Sequence, residues 1–378
     1  MPRSTHVRLV TLAGMLVAAA GLGCAMDLPE PGLIIDTRVL AIKTSVTGPL
    51  IPDPADAETP KAQALPFETV TIEPFVVGPE GPIDPDSIDP VWIACELSVG
   101  QGLFACIQAA MPLSLDELPE CEIPSFEDID GTTLPEPVSP CLIGRTGIPE
   151  YTVPLSANVF IGGAIELTMI AGSPIGTSTD ECAKQLLRGD YELPNDCIYA
   201  VQRLSVGPIE QLLALAATFG VPLEGFEVPD PEDIPESDRN PRITEVRVNL
   251  QDEEGMPIGE STPITIGEQV EVPLEGVLRI DVVSPEEDLQ VFQVAVNNGE
   301  SYEDRPEAYS GSWYRTWGTL LSGSSDDPAS YNEWNFLPGA QDPKDEPAPP
   351  EDRALLYYVV RDGRQGVNWF WFEAVTGP

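Results

Sequence analysis

The sequence predicts a mainly β protein of two antiparallel sandwich domains, the first carrying disulfide-tied insertions and a short helix, with a further helix before the inter-domain linker. Three observations predict it. Short runs in which apolar and β-branched side chains alternate recur through most of the 378 residues. Helical periodicity is confined to two stretches, both ahead of residue 221. An acidic, proline-rich segment, 223–241, parts the strands into two groups.

The chain opens with a targeting segment. Arg3 and Arg8 make a positive start, Leu9 to Leu22 is uncharged and apolar, and Gly21-Leu22-Gly23 places small residues before Cys24. The apolar run is shorter than the roughly 20 residues that a membrane-spanning helix needs, so residues 1–23 read as a cleaved export signal. Its end resembles a bacterial lipobox, where the Cys is diacylated, becomes the new N-terminus and is acylated again; Gly21 stands where that pattern has Leu. The resemblance implies that Cys24 is the lipid attachment residue and that the membrane is a partner through its acyl chains. Ala25 after it, rather than Asp, resembles lipoproteins passed on to an outer membrane. Each buried CH₂ adds about 0.8 kcal/mol, so a multiply acylated Cys holds where a single chain does so only marginally. A conventional secretory signal that leaves Cys24 unmodified is the alternative.

Residues 24–36, with Pro29 and Pro31, form an extended tether. Domain 1, residues 37–206, has strand candidates at Thr37 to Ser45, Thr69 to Gly78, Val91 to Cys95, Tyr151 to Phe160, Ala164 to Ile170 and Cys197 to Val206. Pro154 demotes the Tyr151 run to an edge or a broken strand. Between them, Gln108 to Gly147 reads as an insertion held by disulfides rather than by a core of its own. Ser173 to Asn195 contains a capping box, Ser178-Thr179-Asp180-Glu181, ahead of one short helix stopped by Gly189.

Residues 207–241 are helix and linker. Pro208 suits the first turn of IEQLLALAATFG, and Gly220 its end. The helix is apolar on more than one side and lacks Lys and Arg, which favours packing against a domain over lying on a membrane. Domain 2, residues 242–378, returns to strands: ITEVRVNL, EQVEVPL, VLRIDVVS, LQVFQVAV, SWYRTWGTLL, YNEWNFL, LLYYVVRD and VNWFWFEAV, the last two joined through Asp362-Gly363-Arg364-Gln365-Gly366 as a hairpin. At about 137 residues it slightly exceeds the roughly 100 of an immunoglobulin-like module.

Charge and rare residues narrow the function. Loss of residues 1–23 removes Arg3, Arg8 and the only His, leaving 17 basic residues against 62 acidic ones, a net charge of −45. Nucleic-acid binding, which needs clustered cations, is not expected. Without His the chain has neither a Ser-His-Asp nor a Cys-His centre, and no histidine-containing zinc site. With Cys24 lipidated, six Cys remain for three disulfides, as befits an exported chain. Their gaps of 11 to 41 residues do not suit a thiolate zinc site. Cys182 pairs with Cys197 across the short helix; Cys95, Cys106, Cys121 and Cys141 retain three connectivities.

Other candidate features have bland alternatives. Gly100-Gln101-Gly102-Leu103-Phe104-Ala105 has the letters of a dinucleotide fingerprint without a βαβ unit around it. The runs DPDSIDP and EDIDGT offer carboxylates to calcium, but neither completes the calcium loop, and each reads first as a solvated loop. Trp313, Trp317, Trp369 and Trp371 belong to an aromatic concentration in domain 2 whose first reading is core and inter-sheet packing; exposed, these rings would stack on sugar or dock a protein.

TRVLAIKTS, ETVTIEPFVVGPEG, VWIAC and LLYYVVRDGRQGVNWFWFEAV, behind a lipobox and a proline-containing tether, together resemble the surface lipoproteins of myxobacteria and related deltaproteobacteria. In that family immunoglobulin-like sandwiches follow the anchor, and no established activity comes with it. The expectation is therefore a lipid-anchored outer-membrane protein, periplasmic or surface-exposed, with a structural or binding role, no cofactor and an unknown protein or glycan partner. Its rivals are a carbohydrate-binding or adhesion module using the domain 2 aromatics, and a hydrolase working through two carboxylates.

Overall fold

The computed structural model describes residues 32–51, 57–98, 100–110, 114–123, 139–160, 163–173, 176–188, 196–218, 220, 230, 234–252, 254–273, 276–296, 301–326, 329–336 and 353–376. The expected export signal, Cys24, the EDIDGT run, Gly189 and much of the expected linker lie outside them.

In chain order the first domain runs β1 (Arg38–Val46), β2 (Thr69–Gly78), β3 (Gly81–Pro82), β4 (Val91–Leu97), α1 (Ala105–Ala110), β5 (Cys141–Gly144), β6 (Glu150–Thr152), α2 (Ala157–Phe160), β7 (Ala164–Ala171), α3 (Thr179–Leu187), β8 (Ile198–Ser205) and α4 (Ile209–Thr218). One sheet has the order β1-β2-β3, with β6 also on β2; the other has the order β5-β4-β7-β8. Ile72, Trp92, Leu167 and Met169 fill the space between the two sheets. β4 and β7 lie antiparallel in continuous register from Val91 opposite Ile170 to Leu97 opposite Ala164.

The disulfides are Cys95–Cys106, Cys121–Cys141 and Cys182–Cys197, so the expected pair forms and the four ambiguous Cys join to their sequence neighbours. The insertions nevertheless have a core. Ile107 and Ala110 of α1, Leu118 of the 108–147 insertion, and Leu186 and Leu187 from α3 cover the outward side chains Val91 and Ile93. A strand flanked on both faces needs apolar residues at every position, which is why VWIAC does not alternate. Ser178 caps α3 by accepting from the Glu181 amide.

One expected element differs here. Tyr151 to Phe160 splits into β6 and α2 around Pro154, because Pro removes a ladder donor. Gly100-Gln101-Gly102-Leu103-Phe104-Ala105, which the sequence does not favour as a dinucleotide site, leads into the six-residue helix Ala105–Ala110, and the Cys106 amide donates to the buried Glu166 carboxylate at 2.9 Å.

The second domain comprises β9 (Glu245–Gln251), β10 (Pro257–Pro263), β11 (Gln269–Val272), β12 (Val277–Val283), β13 (Val291–Val296), β14 (Ser301–Pro306), β15 (Ser310–Arg315), β16 (Thr319–Leu320), β17 (Ser324–Ser325), β18 (Ala329–Asn335), β19 (Arg353–Arg361) and β20 (Val367–Thr376). Sheets β10-β9-β12-β18-β16 and β11-β20-β19-β15-β17 enclose Ile280, Trp313, Trp334, Tyr358 and Phe372. β13 and β14 form a separate hairpin. SWYRTWGTLL is not one strand: the chain leaves β15 in one sheet, turns at Gly318 with φ +75°, and enters β16 in the other. The sandwich is also not wholly antiparallel, since β11 runs parallel to β20.

The terminal hairpin explains the domain pairing. Along β19 and β20 alternate side chains face opposite ways. Leu356, Tyr358, Val360, Phe370 and Phe372 enter the domain 2 core. Leu355, Tyr357, Val359 and Val367 pack instead with Leu40, Phe75 and Val77 of β1 and β2, with Trp369 and Trp371 against them. Both faces of the hairpin are therefore covered.

Candidate functional site at the domain seam

The seam begins where the tether ends. Ile34 donates its amide to the Arg315 carbonyl at 2.8 Å, and Arg315 donates to the Gly32 carbonyl at 2.9 Å, so residues 32–34 dock on β15 of domain 2 before the chain enters β1. Ile34 is 1% exposed. The end of the tether is thus part of the interface.

Phe75 stacks on Trp369 with ring centroids 4.9 Å apart and meets Tyr357 edge-on at 5.9 Å. Lys43 Nζ lies 4.2 Å from the Trp369 ring centroid. Beside these rings, Tyr357 donates its hydroxyl to Gly78 O and Arg361 donates to Leu40 O.

The expected linker supplies the other half. Ser237, Asp238 and Asn240 are buried, although the acidic, proline-rich sequence before them predicts a solvated spacer. The Ala62 amide donates to Asp238 O at 2.9 Å, Asn240 Nδ2 donates to Thr44 O at 2.8 Å, and Asn240 Oδ1 accepts from the Val367 amide at 2.9 Å. One asparagine therefore joins both domains. Backbone donors satisfied in this way make residues 237–240 a strap inside the seam.

Against the strap sits the hairpin turn, residues 362–366. Asp362 Oδ1 accepts from the Arg364 and Gly366 amides at 2.8 and 2.9 Å. Gly366 has no alternative residue here, because a Cβ would lie 2.0 Å from Asp362 Oδ2 and 2.8 Å from Arg239 O. Ser205 Oγ donates to Arg364 O and Gln202 Nε2 to Gln365 O, tying the turn to β8 of domain 1.

Arg364 is the centre of this arrangement, 5% exposed. Its Nη1 donates to Glu307 Oε1 and Gln290 Oε1, each at 3.2 Å, its Nη2 donates to Gln63 Oε1, and its guanidinium lies 5.3 Å from the Phe292 ring centroid. Three carboxylates, Asp238, Glu307 and Asp362, surround the one guanidinium. Burial, reinforced by the charge of Asp362, raises Asp238 well above the usual carboxylate range. Burial and the Glu307 charge push Asp362 up to about 6, against the pull of its backbone hydrogen bonds and of Arg364.

Two clefts of about 450 Å³ each flank the turn. One is lined by Gln63, Arg203, Ser205, Phe292, Arg305 and Arg364 among others. The other includes Glu58, Arg242, Asp288, Glu307, Tyr309 and Asp362. In the second, Arg242 grips Asp288 with two hydrogen bonds of 2.6 Å and reaches Glu58 of the first domain. Glu307 Oε2 accepts from the Gln290 amide at 2.7 Å. Carboxylates committed to turns and guanidinium groups suit a clasp better than an acid and a base presented to a glycosidic bond.

The sequence-predicted aromatic site is not assembled as a row. Trp313 is 1% exposed inside domain 2, Trp317 donates its indole N–H to Phe336 O, and Trp369 and Trp371 face domain 1. These rings lie in the core and the seam because the first domain covers what an isolated second domain would expose. Asp84 of DPDSIDP caps a turn by accepting from the Asp86 amide. Sequence reasoning placed Arg364 only within a turn and missed Asp238, Glu307 and Asp362 as a group. The one available signal was the basic SDRNPR closing an otherwise acidic linker.

No protein-family model matches the chain, and no curated protein matches it. Among solved structures, the crystal structure of dimeric latent PorU from Porphyromonas gingivalis aligns over 91% of this chain and 24% of its own, at 12% identity and a TM-score of 0.19. The chain spans about a quarter of that protein's length, and a likeness this slight bears on neither mechanism nor partner.

Proposed function

We propose that this is a lipid-anchored, exported protein of the cell envelope, held in the outer membrane through Cys24, in which two immunoglobulin-like sandwiches act together as a rigid, non-catalytic strut with a structural or binding role. The observation that carries the reading is the domain seam. Phe75, Trp369 and Tyr357 pack the two sheets together while the 237–240 strap and Arg364 close the polar side. A large apolar interface opposes relative motion of domains, so a partner bound at the far end would be held at a set distance and angle from the anchor. Three disulfides support export, since such bonds persist in oxidising compartments. The resemblance to myxobacterial surface lipoproteins supports the same address.

Fractionation of cells expressing the full chain checks the anchor. The wild type sediments with the outer membrane, whereas Cys24→Ser moves to the soluble exported fraction. Sedimentation of Cys24→Ser with the envelope would overturn the reading.

A further inference from the structure

The β13–β14 hairpin forms a sheet of its own, fastened at its root. There the Glu307 amide donates to Gln290 O at 2.8 Å, Arg364 bonds the side chains of both residues, and its guanidinium lies against the Phe292 ring. Beyond the root, pairs from Val291 opposite Pro306 to Val296 opposite Ser301 run in unbroken register, and among the described residues no third strand joins them. From the bonded pair Gln290–Glu307, the antiparallel alternation turns the N–H and C=O of Val291, Gln293 and Ala295 toward the free edge of β13. Val291 is 64% exposed there. A two-stranded ribbon is at best marginally stable in water by itself, so this sheet gains from a further strand.

An open edge invites pairing, and the other edges of this protein are guarded against it. In the sandwich sheets β3, β6, β16 and β17 are two or three residues long and β5 and β11 four. β10 shifts register between Ile258 and Thr262, and the longer β1 and β8 carry Lys43 and Arg203. β14 is guarded too, by Glu303, Asp304, Arg305 and Pro306. β13, VFQVAV, has six residues and neither charge, proline nor glycine. We propose that β13 is the docking edge for a second copy of this chain, the two β13 strands pairing antiparallel about a twofold axis into one four-stranded sheet, β14-β13-β13-β14. Strand addition of this kind takes its affinity from main-chain hydrogen bonds. Charge selects the occupant: within Val291–Val296 no register sets like charges opposite one another, while the charged β14 strands stay outermost. Those guarded outer strands also close the assembly at two copies, as a twofold contact requires. Each chain carries a net charge of −43, so the copies repel at long range and salt screens the repulsion. A contact made by one short strand is small, and the dimer is accordingly weak and reversible. The proposal does not rest on the anchor, because the edge exists wherever the protein resides.

Sedimentation equilibrium of the full exported chain carrying Cys24→Ser, which removes acyl chains and a free thiol as other causes of association, reads the oligomeric state. The weight-average mass should rise with protein concentration from one chain toward two and stop there, and added NaCl should tighten the dimer. Gln293→Pro removes a donor from the free edge without removing a β13–β14 bond and should weaken dimerisation by about tenfold or more. Gln293→Lys, exposed and opposite Asp304, keeps the ribbon while placing like charges at the new junction, and should weaken it comparably. Melting profiles matching that of the parent chain verify folding, and Ile258→Lys on the guarded β10 edge should leave dimerisation unchanged. A monomer at every concentration, association that neither Gln293 variant weakens, growth past two copies, or a dimer loosened by salt overturns the proposal. Because every arm lacks the anchor, failure here is distinguishable from failure of the envelope assignment.

Discussion

Replacing Asp362 by Asn should stabilise the protein at neutral pH and leave it nearly unchanged in acid. The Asp362 carboxyl is pushed up from 3.8 to about 6, chiefly by burial and then by the Glu307 charge. A raised acid pKa penalises folding once the unfolded chain ionises. The penalty is absent below the unfolded value near 4, grows as pH rises toward 6, and is constant above it. About two units at about 1.4 kcal/mol each give at most about 3 kcal/mol. Solvent screening reduces this, so a gain of about 1–3 kcal/mol is expected for Asp362→Asn at pH 7.5. The Asn oxygen can still accept from the Arg364 and Gly366 amides, which preserves the turn. Neutralising residue 362 also removes one of the charges that raise Asp238, and that change has the same sign. Urea unfolding of wild type and variant between pH 4 and pH 7.5, followed by tryptophan fluorescence, gives the comparison. Repulsion among the other acids affects both proteins alike and cancels in the difference. A variant less stable than wild type at pH 7.5, or a gap that does not narrow toward pH 4, would refute the reasoning and make the Asp362–Arg364 attraction dominant.

Two further outcomes follow from the fold. Phe75→Ala removes a 5%-exposed ring from between Trp369 and Tyr357 and should cost about 3–5 kcal/mol, with the single unfolding transition splitting into two as the domains uncouple; an unchanged single transition in calorimetry would contradict the seam. Replacing Cys182 and Cys197 together by Ser opens a loop of sequence separation 15 and should lower stability by about 3 kcal/mol in non-reducing urea titrations, whereas a loss below about 1 kcal/mol would show that α3 is held by its Leu186 and Leu187 packing alone.

Much of the fold was legible in local pattern. Alternation over Thr69 to Gly78 marks β2 to the residue, and the Gly-containing turn after Asp362 joins β19 to β20 as expected. Ser178 and Cys182 locate α3 because capping and a short disulfide loop act within one or two turns. The helix after Pro208 is likewise local, with Leu212 and Ala216 turned inward. The candidate site was not legible. Gln63, Arg203, Asp238, Glu307 and Arg364 are spread over some 300 residues, and each alone reads as an ordinary polar position.

The hairpin LLYYVVRD–VNWFWFEAV shows where the division falls. Sequence by itself determined that both of its faces are apolar, that its two strands join through a glycine-containing turn, and that Cys182 and Cys197 flank one short helix closely enough to pair. Period-two alternation and turn chemistry depend on neighbours a few residues away. Only the tertiary structure decided that one face meets the domain 2 core and the other meets Phe75, that Ile34 of the tether docks on β15, and that Asp238 of the linker lies beside Arg364. Burial of a charge and the choice of its partners are set by which surfaces exclude water together, and that is a property of the assembled pair of domains.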